Sequence, residues 1–315
     1  MHVFLAPLAL LVERLVGYPP ALFNLISHPV VWMGAWLGWL DRRLNQGAHR
    51  RCKGVLALVL LLAVSLAAAL ALRFGLSLMP FGWVVEALVA TTLLAQRQLG
   101  HAVGAVADGL AASLAEGREQ VAHIVGRDPH QLDEAGVARA AIESLAESTS
   151  DGVVAPAFWL VLFGLPGIVL YKAANTADSM IGHKSERYLE FGWAAARFDD
   201  LLNLVPARLS ALLIAGAAFW VKGADAGKAW GTALRDAKKH TSPNAGWPEA
   251  AVAGALGFSL GGPRSYAGET IDLPTLGEGR RDLGPADIRT ALGLYAITLD
   301  LLLGLAFGLA VLLCS

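Results

Sequence analysis

The densest run of chemistry-bearing side chains in this 315-residue sequence is Glu143-Ser-Leu-Ala-Glu147-Ser-Thr-Ser-Asp151-Gly152. Glu143 and Glu147 are four residues apart, so on a helix they share a face, with Arg139 one turn earlier. Ser, Asp and Gly at 148–152 favour a turn or a cap, so the helix is expected to stop there. Three carboxylates would then converge where the chain enters an apolar stretch. That group reads either as an ordinary solvated helix end or as a seat for Mg²⁺ or a substrate amine. Mg²⁺ is commonly held by one or two carboxylates together with substrate phosphates.

Three further groups carry reactive types. Lys172, Asn175 and Asp178 follow an apolar run at three-residue steps and lead to His183, Lys184, Glu186 and Arg187. Ionisable groups at membrane depth are costly and are usually functional or paired. The plainer reading makes Lys172 a snorkelling interfacial anchor. Next is Arg197-Phe-Asp199-Asp200-Leu-Leu-Asn203, with Arg208 beyond it. Asp199 and Asp200 either ligate a metal or cap a helix N-terminus, and capping is the reading preferred for one of them. The last is Lys238-Lys239-His240-Thr-Ser-Pro-Asn244-Ala-Gly-Trp247-Pro-Glu249, followed by Gly261-Gly262-Pro263-Arg264. Glycine turns beside Lys and Arg bind phosphate through backbone N–H groups and charge. No GxxxxGK[ST] loop is present, and this spacing alone is a weak signal. His28, directly before Pro29, reads as structural rather than catalytic.

The elements that must position these groups are apolar. Charged residues make up 16% of the chain, against about 25% in soluble domains. The mean hydropathy is +0.52. A net charge of -1 gives no sign of nucleic-acid binding. The nine tryptophans often lie near the ends of apolar runs, which suits an interfacial aromatic belt. Cys52 and Cys314 are not expected to pair, and two thiols alone make no zinc site. Val3–Gly17, interrupted by Glu13 and Arg14, reads as a retained first segment rather than a signal peptide.

Val55–Leu72 is uncharged and close to the roughly 20 residues a bilayer core needs. Trp83–Ala95, after the Pro80–Gly82 turn, forms a helical hairpin with it. Val153–Tyr171 is broken by Pro156, Gly164, Pro166 and Gly167. Leu201–Val221 carries Asn203, Pro206 and Arg208, and Ala291–Leu313 carries Asp300. The expectation is an all-α polytopic membrane protein. It would have four to six transmembrane or re-entrant helices and cytoplasmic helical loops, in a single domain over 1–315. An amphipathic helix is expected over 96–120, others over 134–147 and 250–260, and a loop over 261–287. Lys and Arg in 18–53 and 222–290 place both on the cytoplasmic side, and hairpin parity adds 96–152. If 153–171 and 201–221 both span, the connector 172–200 lies outside; if both are re-entrant, which their helix breakers favour, it lies on the cytoplasmic side too.

Five motifs, in order, resemble one family: His28-Pro-Val-Val-Trp-Met-Gly, Glu143-Ser-Leu-Ala-Glu-Ser-Thr-Ser-Asp-Gly-Val-Val-Ala-Pro, Tyr171-Lys-Ala-Ala-Asn-Thr-Ala-Asp-Ser-Met, Phe191-Gly-Trp-Ala-Ala-Ala-Arg-Phe-Asp-Asp-Leu-Leu-Asn and Ser242-Pro-Asn-Ala-Gly-Trp-Pro-Glu-Ala. They are similar to the CobD/CbiB membrane proteins, the adenosylcobinamide-phosphate synthases of cobalamin biosynthesis. Two positions depart from the pattern: Ser148 where asparagine is expected and His183 where tyrosine is expected. Both departures keep hydrogen-bonding capacity.

The resemblance implies an ATP-dependent acid–amine ligase. It would join (R)-1-aminopropan-2-ol or its O-phosphate to the free carboxylate of adenosylcobyric acid. ATP and Mg²⁺ are the implied cofactors. The implied catalytic set is Glu143, Glu147, Asp151 and Asp178, with Glu147, Asp151 and Asp178 for Mg²⁺ and Glu143 for the amine. Asn175 would orient a phosphate or carboxylate, and Lys172, Lys184, Arg197 and Lys239 would meet phosphate or propionate groups. Asp199 and Arg264 join the substrate or ATP contacts, and His240, Asn244 and Trp247 face the corrinoid. The implied location is the inner membrane, with the site on the cytoplasmic face where ATP is. The implied partners are the corrinoid, the amine and the bilayer, but no nucleic acid. A homo-oligomer or a complex with other pathway enzymes stays open. Two rivals stand beside this reading: a non-enzymatic regulator like the AmpE proteins, and a transporter with broken helices. Intact acidic and Asn-Thr-x-Asp motifs speak against the first, and the lack of an inverted repeat against the second.

Overall fold

The computed structural model describes residues 2–18, 27–126, 128–262, 264–266, 269–271 and 273–315, with the side chains of 2 and 264–271 excluded. In chain order the helices are α1 (Leu5–Val16), α2 (Pro29–Leu44), α3 (Arg50–Ser77), α4 (Gly82–Thr91), α5 (Gln96–Ala112), α6 (Leu114–Ala122) and α7 (Glu134–Thr149). A π-helical turn, Ser150–Val154, precedes α8 (Ala155–Ile181). Then come α9 (Trp193–Ala217), α10 (Ala226–Asp236), α11 (Gly246–Leu256), the short strands β1 (Leu260–Gly261), β2 (Arg264–Tyr266), β3 (Glu269–Ile271) and β4 (Thr275–Leu276), and α12 (Pro285–Leu312).

Among the described residues, four helical stretches are long and apolar enough to cross a membrane: Arg50–Ser77, Glu134–Ile181, Trp193–Trp220 and Pro285–Leu312. At 1.5 Å per residue, α3 reaches about 42 Å, more than a ~30 Å hydrocarbon core. Val55, Leu56, Val59, Val64, Leu70 and Leu72 stand exposed along it, a surface suited to lipid rather than water. The protein is therefore an all-α, multi-pass membrane protein. Cys52 and Cys314 are both free and exposed.

The chain divides into two compact units interleaved in sequence: Met1–Ala95, Ala155–Asn203 and Leu305–Ser315 form one, and Gln96–Val154 and Leu204–Gly304 the other. In the first unit, Leu37 and Leu40 of α2, Leu58 and Leu61 of α3, Ala173, Ala177 and Ile181 of α8, and Phe191 share one buried core. The start of α2 explains itself chemically. His28 accepts the Val30 N–H on Nδ1 at 3.2 Å, and Pro29 takes the first helical position. In the second unit, alanines at 138, 141, 229, 233, 250 and 251 are fully buried, so these helices approach closely.

Several expectations need correction. The helix does not stop at 148–152: α7 passes into the π turn and helix resumes as α8. Ser150, Val153 and Val154 are buried there, and packing overrides the local preference of Ser, Asp and Gly for a turn. A π turn also takes up one extra residue, a distortion that recurs at functional sites. The expected 96–120 helix is two, because Ser113 turns extended and caps α6 through Oγ on the Glu116 N–H at 3.1 Å. The last apolar helix of this region ends at Leu256 rather than 260, with Gly257 as a left-handed cap. The 261–287 loop contains two antiparallel strand pairs, β1 with β4 and β2 with β3. Region 18–53 holds the 16-residue α2, which its charged end had concealed.

Candidate functional site

In the first unit, the polar face of α8 meets the start of α9. The Tyr171 hydroxyl donates to Asn203 Oδ1 at 3.0 Å, and Asn203 Nδ2 donates to Asp199 Oδ2 at 2.9 Å. Asn175 Nδ2 approaches Asp199 Oδ1 at 3.4 Å, and Lys172 Nζ approaches Asn175 Oδ1 at 3.4 Å. The result is a chain of hydrogen bonds from Lys172 through Asn175, Asp199 and Asn203 to Tyr171. Its centre is dry: Asp199 is 7% exposed and Asn203 1%. A buried carboxylate needs such donors, because desolvation without them is costly.

Asp199 and Asp200 therefore sit inside α9, past its first turn, and neither simply caps it. Asp178 lies within electrostatic reach of Asp199, Asp200 and His183. Asp200 in turn faces Arg197 at 3.9 Å and senses Lys184. Gly182 closes the end of α8, where a Cβ would stand 1.9 Å from Asp178 Oδ1. Only glycine lets the Asp178 carboxylate fold over that turn. Lys172, Asn175, Asp178, Lys184, Arg197 and Asp199 are thus gathered in one unit.

The residue chemistry fits Mg²⁺. Carboxylate and amide oxygens are the hard donors this ion takes, and three neighbouring carboxylates repel one another unless a cation intervenes. Among the described residues no three His, Cys, Asp or Glu side chains close into a cage.

The second unit holds the other named residues. Glu143, 5% exposed, accepts the Gly261 N–H at 2.7 Å. Arg139 donates to the Arg281 carbonyl at 2.6 Å, and Arg281 donates to the Gly261 carbonyl at 3.0 Å. Glu143 and Arg139 therefore fix the start of the strand region. Glu147 is exposed and Asp151 half-buried. Lys239 is bonded to Asp236 at 2.7 Å, and Asp236 also takes Arg235 at 2.8 Å and the Gly277 N–H at 2.9 Å. The Arg235 side chain, then Lys239 and the Gly277 N–H, hold the Asp236 carboxyl below the usual carboxylate range. His240 faces Glu249 at 3.6 Å. Arg208 donates to Asn244 Oδ1 at 3.0 Å and lies over the Trp247 ring at 4.7 Å. Asn244 and Trp247 are thus joined by a guanidinium stacked on an indole. Arg264 lies in β2 with its side chain outside the described residues.

Three members were given no site role from the sequence: Tyr171, Asn203 and Arg208. The Asp199–Asn203 spacing of four was a visible signal. The Tyr171–Asn203 bond spans 32 positions and leaves no trace in local spacing.

Residues 6–295 match the family model described as CobD/Cbib protein. The cobalamin biosynthesis protein CobD of Sinorhizobium fredii (strain NBRC 101917 / NGR234) is 51% identical over 285 residues, 89% of this chain and 87% of its own. That of Brucella suis biovar 1 (strain 1330) is 47% identical over 312 residues, 96% of this chain and 94% of its own. One from Rhodobacter capsulatus is 47% identical over 289 residues, 90% of each chain. No solved structure matches the chain. With its motifs, its helical membrane fold and these matches, the chain belongs to the CobD/CbiB family of cobalamin-biosynthesis proteins.

Proposed function

We propose that this member of cobalamin biosynthesis is an ATP-dependent ligase. It forms the amide between the free carboxylate of adenosylcobyric acid and (R)-1-aminopropan-2-ol or its O-phosphate. The observation that carries the reading is the Lys172–Asn175–Asp199–Asn203–Tyr171 network with Asp178 and Asp200 beside it.

A carboxylate is a poor electrophile. Transfer of the γ-phosphoryl group to one of its oxygens gives an acyl phosphate and ADP. The neutral amine then attacks the carbonyl carbon, the C–N bond forms, and the C–O bond to phosphate breaks. Bound Mg²⁺ would supply charge neutralisation on the phosphates. Asp178, with Asp200 beside it, presents the anionic oxygens for such an ion, and Lys172, Lys184 and Arg197 offer cations to phosphate or propionate oxygens. Asn175 is held between Lys172 and Asp199, so its amide is oriented before anything binds. The substrate ammonium must lose a proton before it attacks. The stacked Arg208 and Trp247 offer a flat face of the kind a corrinoid edge fits.

The test is isotopic. Adenosylcobyric acid labelled with heavy oxygen in its free carboxylate is incubated with purified protein, ATP, Mg²⁺ and either amine. One labelled oxygen should appear in the released inorganic phosphate. Amide product with unlabelled phosphate would exclude the acyl phosphate route.

A further inference from the structure

We propose that a cleft at the α2–α3 corner of the first unit, apart from the carboxylate cluster, binds a phosphate group. The cleft encloses about 620 Å³ and is walled by Asp41, Arg42, Asn45, Arg50, Glu186 and Arg187. Arg42, Arg50 and Arg187 line it, and the planar donor fork of a guanidinium group matches phosphate oxygens.

The walls are built to hold those groups in place. Asp41 is buried and accepts from Arg187 Nη2 at 2.6 Å and from Asn45 Nδ2 at 2.8 Å. That pair fixes Arg187 without hiding it, since the Arg187 side chain stays 60% exposed. Arg50 donates through Nε to Asn45 Oδ1 at 2.8 Å and through Nη2 to the Arg187 carbonyl. Two of the three guanidiniums are therefore preorganised, which lowers the entropy lost on binding an anion. Arg42 adds a third that takes no part in the bonds fixing Asp41. A clamp alone would need only Arg187, Asp41 and Asn45; the surplus cations and the open volume are what a ligand accounts for. Asp41 and Glu186 are the acidic groups on the wall, and the first is consumed by Arg187.

The backbone adds to this field. α3 begins at Arg50 with no side-chain cap from His49, and a helix N-terminus favours an anion. The apolar stretch of α3 starts at Val55, about 7 Å along the axis from Arg50. The cleft therefore lies at the depth of lipid headgroups, where a headgroup phosphate and a free polyphosphate can both reach it. This inference does not depend on the ligase reading, because it is read by binding without turnover.

Two probes distinguish the sources. Inorganic pyrophosphate is titrated into the purified full chain in detergent, with thermal unfolding as the readout. In parallel, the chain is placed in phosphatidylcholine nanodiscs with and without phosphatidylglycerol. Wild type should be stabilised by at least one probe, and Arg42→Gln should weaken that response by about tenfold or more. Arg42→Lys should fall between them, since it keeps the charge and loses the fork. A pyrophosphate response assigns a free or nucleotide phosphate, and a response to phosphatidylglycerol alone assigns a lipid headgroup. No stabilisation by either probe, or equal responses in wild type and Arg42→Gln, would overturn the proposal.

Discussion

Asn203 stands between two groups that need it. It accepts from Tyr171 and donates to Asp199 in a pocket closed to solvent. Asn203→Leu strands both partners, at about 1–3 kcal/mol for each buried group left unsatisfied. Tyr171→Phe removes one bond and should lower stability by only about 1 kcal/mol; thermal unfolding in detergent orders the two. Asp178→Asn keeps the size and loses the charge, so it should fold normally while the amide-forming rate falls by about 100-fold or more. A variant with unchanged activity would remove Asp178 from the site. His28 provides a pH test. Burial lowers its pKa, and nearby Lys172 lowers it further, while a hydrogen bond with the Thr92 backbone opposes them. Its Nδ1 acts as an acceptor, which requires the neutral ring. The unfolded chain therefore binds the proton more readily, and the stability from this group is full above about pH 6.5 and is lost as pH falls below it. His28→Asn keeps a capping side chain and should flatten that part of the stability profile. The structural role of His28 was legible from the proline behind it. The role of Asp199 was not, because its partner Asn175 lies 24 positions away on another helix.

At the scale of elements, α8 is interrupted where its sequence says it should be. Gly164 sits at φ 66° and ψ −152°, a conformation open essentially to glycine alone. Gly164→Ala should destabilise the protein by on the order of 1–3 kcal/mol, measured as a lowered unfolding midpoint. Equal stability would mean that the break relaxes into regular helix. Pro166 and Gly167 marked this break in the sequence. The π turn at Ser150–Val154 was hidden for the opposite reason. Its residues favour a turn locally, and only their burial shows why the chain stays helical. The division at Ser113 was likewise masked by an unbroken apolar period, since Leu110 and Leu114 keep the helical spacing on either side.

For the whole molecule, composition alone identified the membrane class, because 16% charge cannot cover a water-facing surface of this size. Motif order identified the family. What stayed illegible was which distant segments meet, since contacts across tens of residues carry no local period. Sidedness is the next consequence to test. The proposed ATP-dependent reaction, placed on the cytoplasmic face, requires the connector carrying Lys184 to lie there. Cysteines placed singly at 184–190, in a Cys52→Ser, Cys314→Ser background, should resist a membrane-impermeant thiol reagent added to intact cells. Labelling from the periplasmic side would exclude a cytoplasmic site that includes this connector. The most direct test of the central claim remains conversion of adenosylcobyric acid by the purified protein, comparing both amines with and without ATP. Amide product should form in dependence on ATP and on one of the two amines. Binding of the corrinoid with no product under any of these conditions would contradict it.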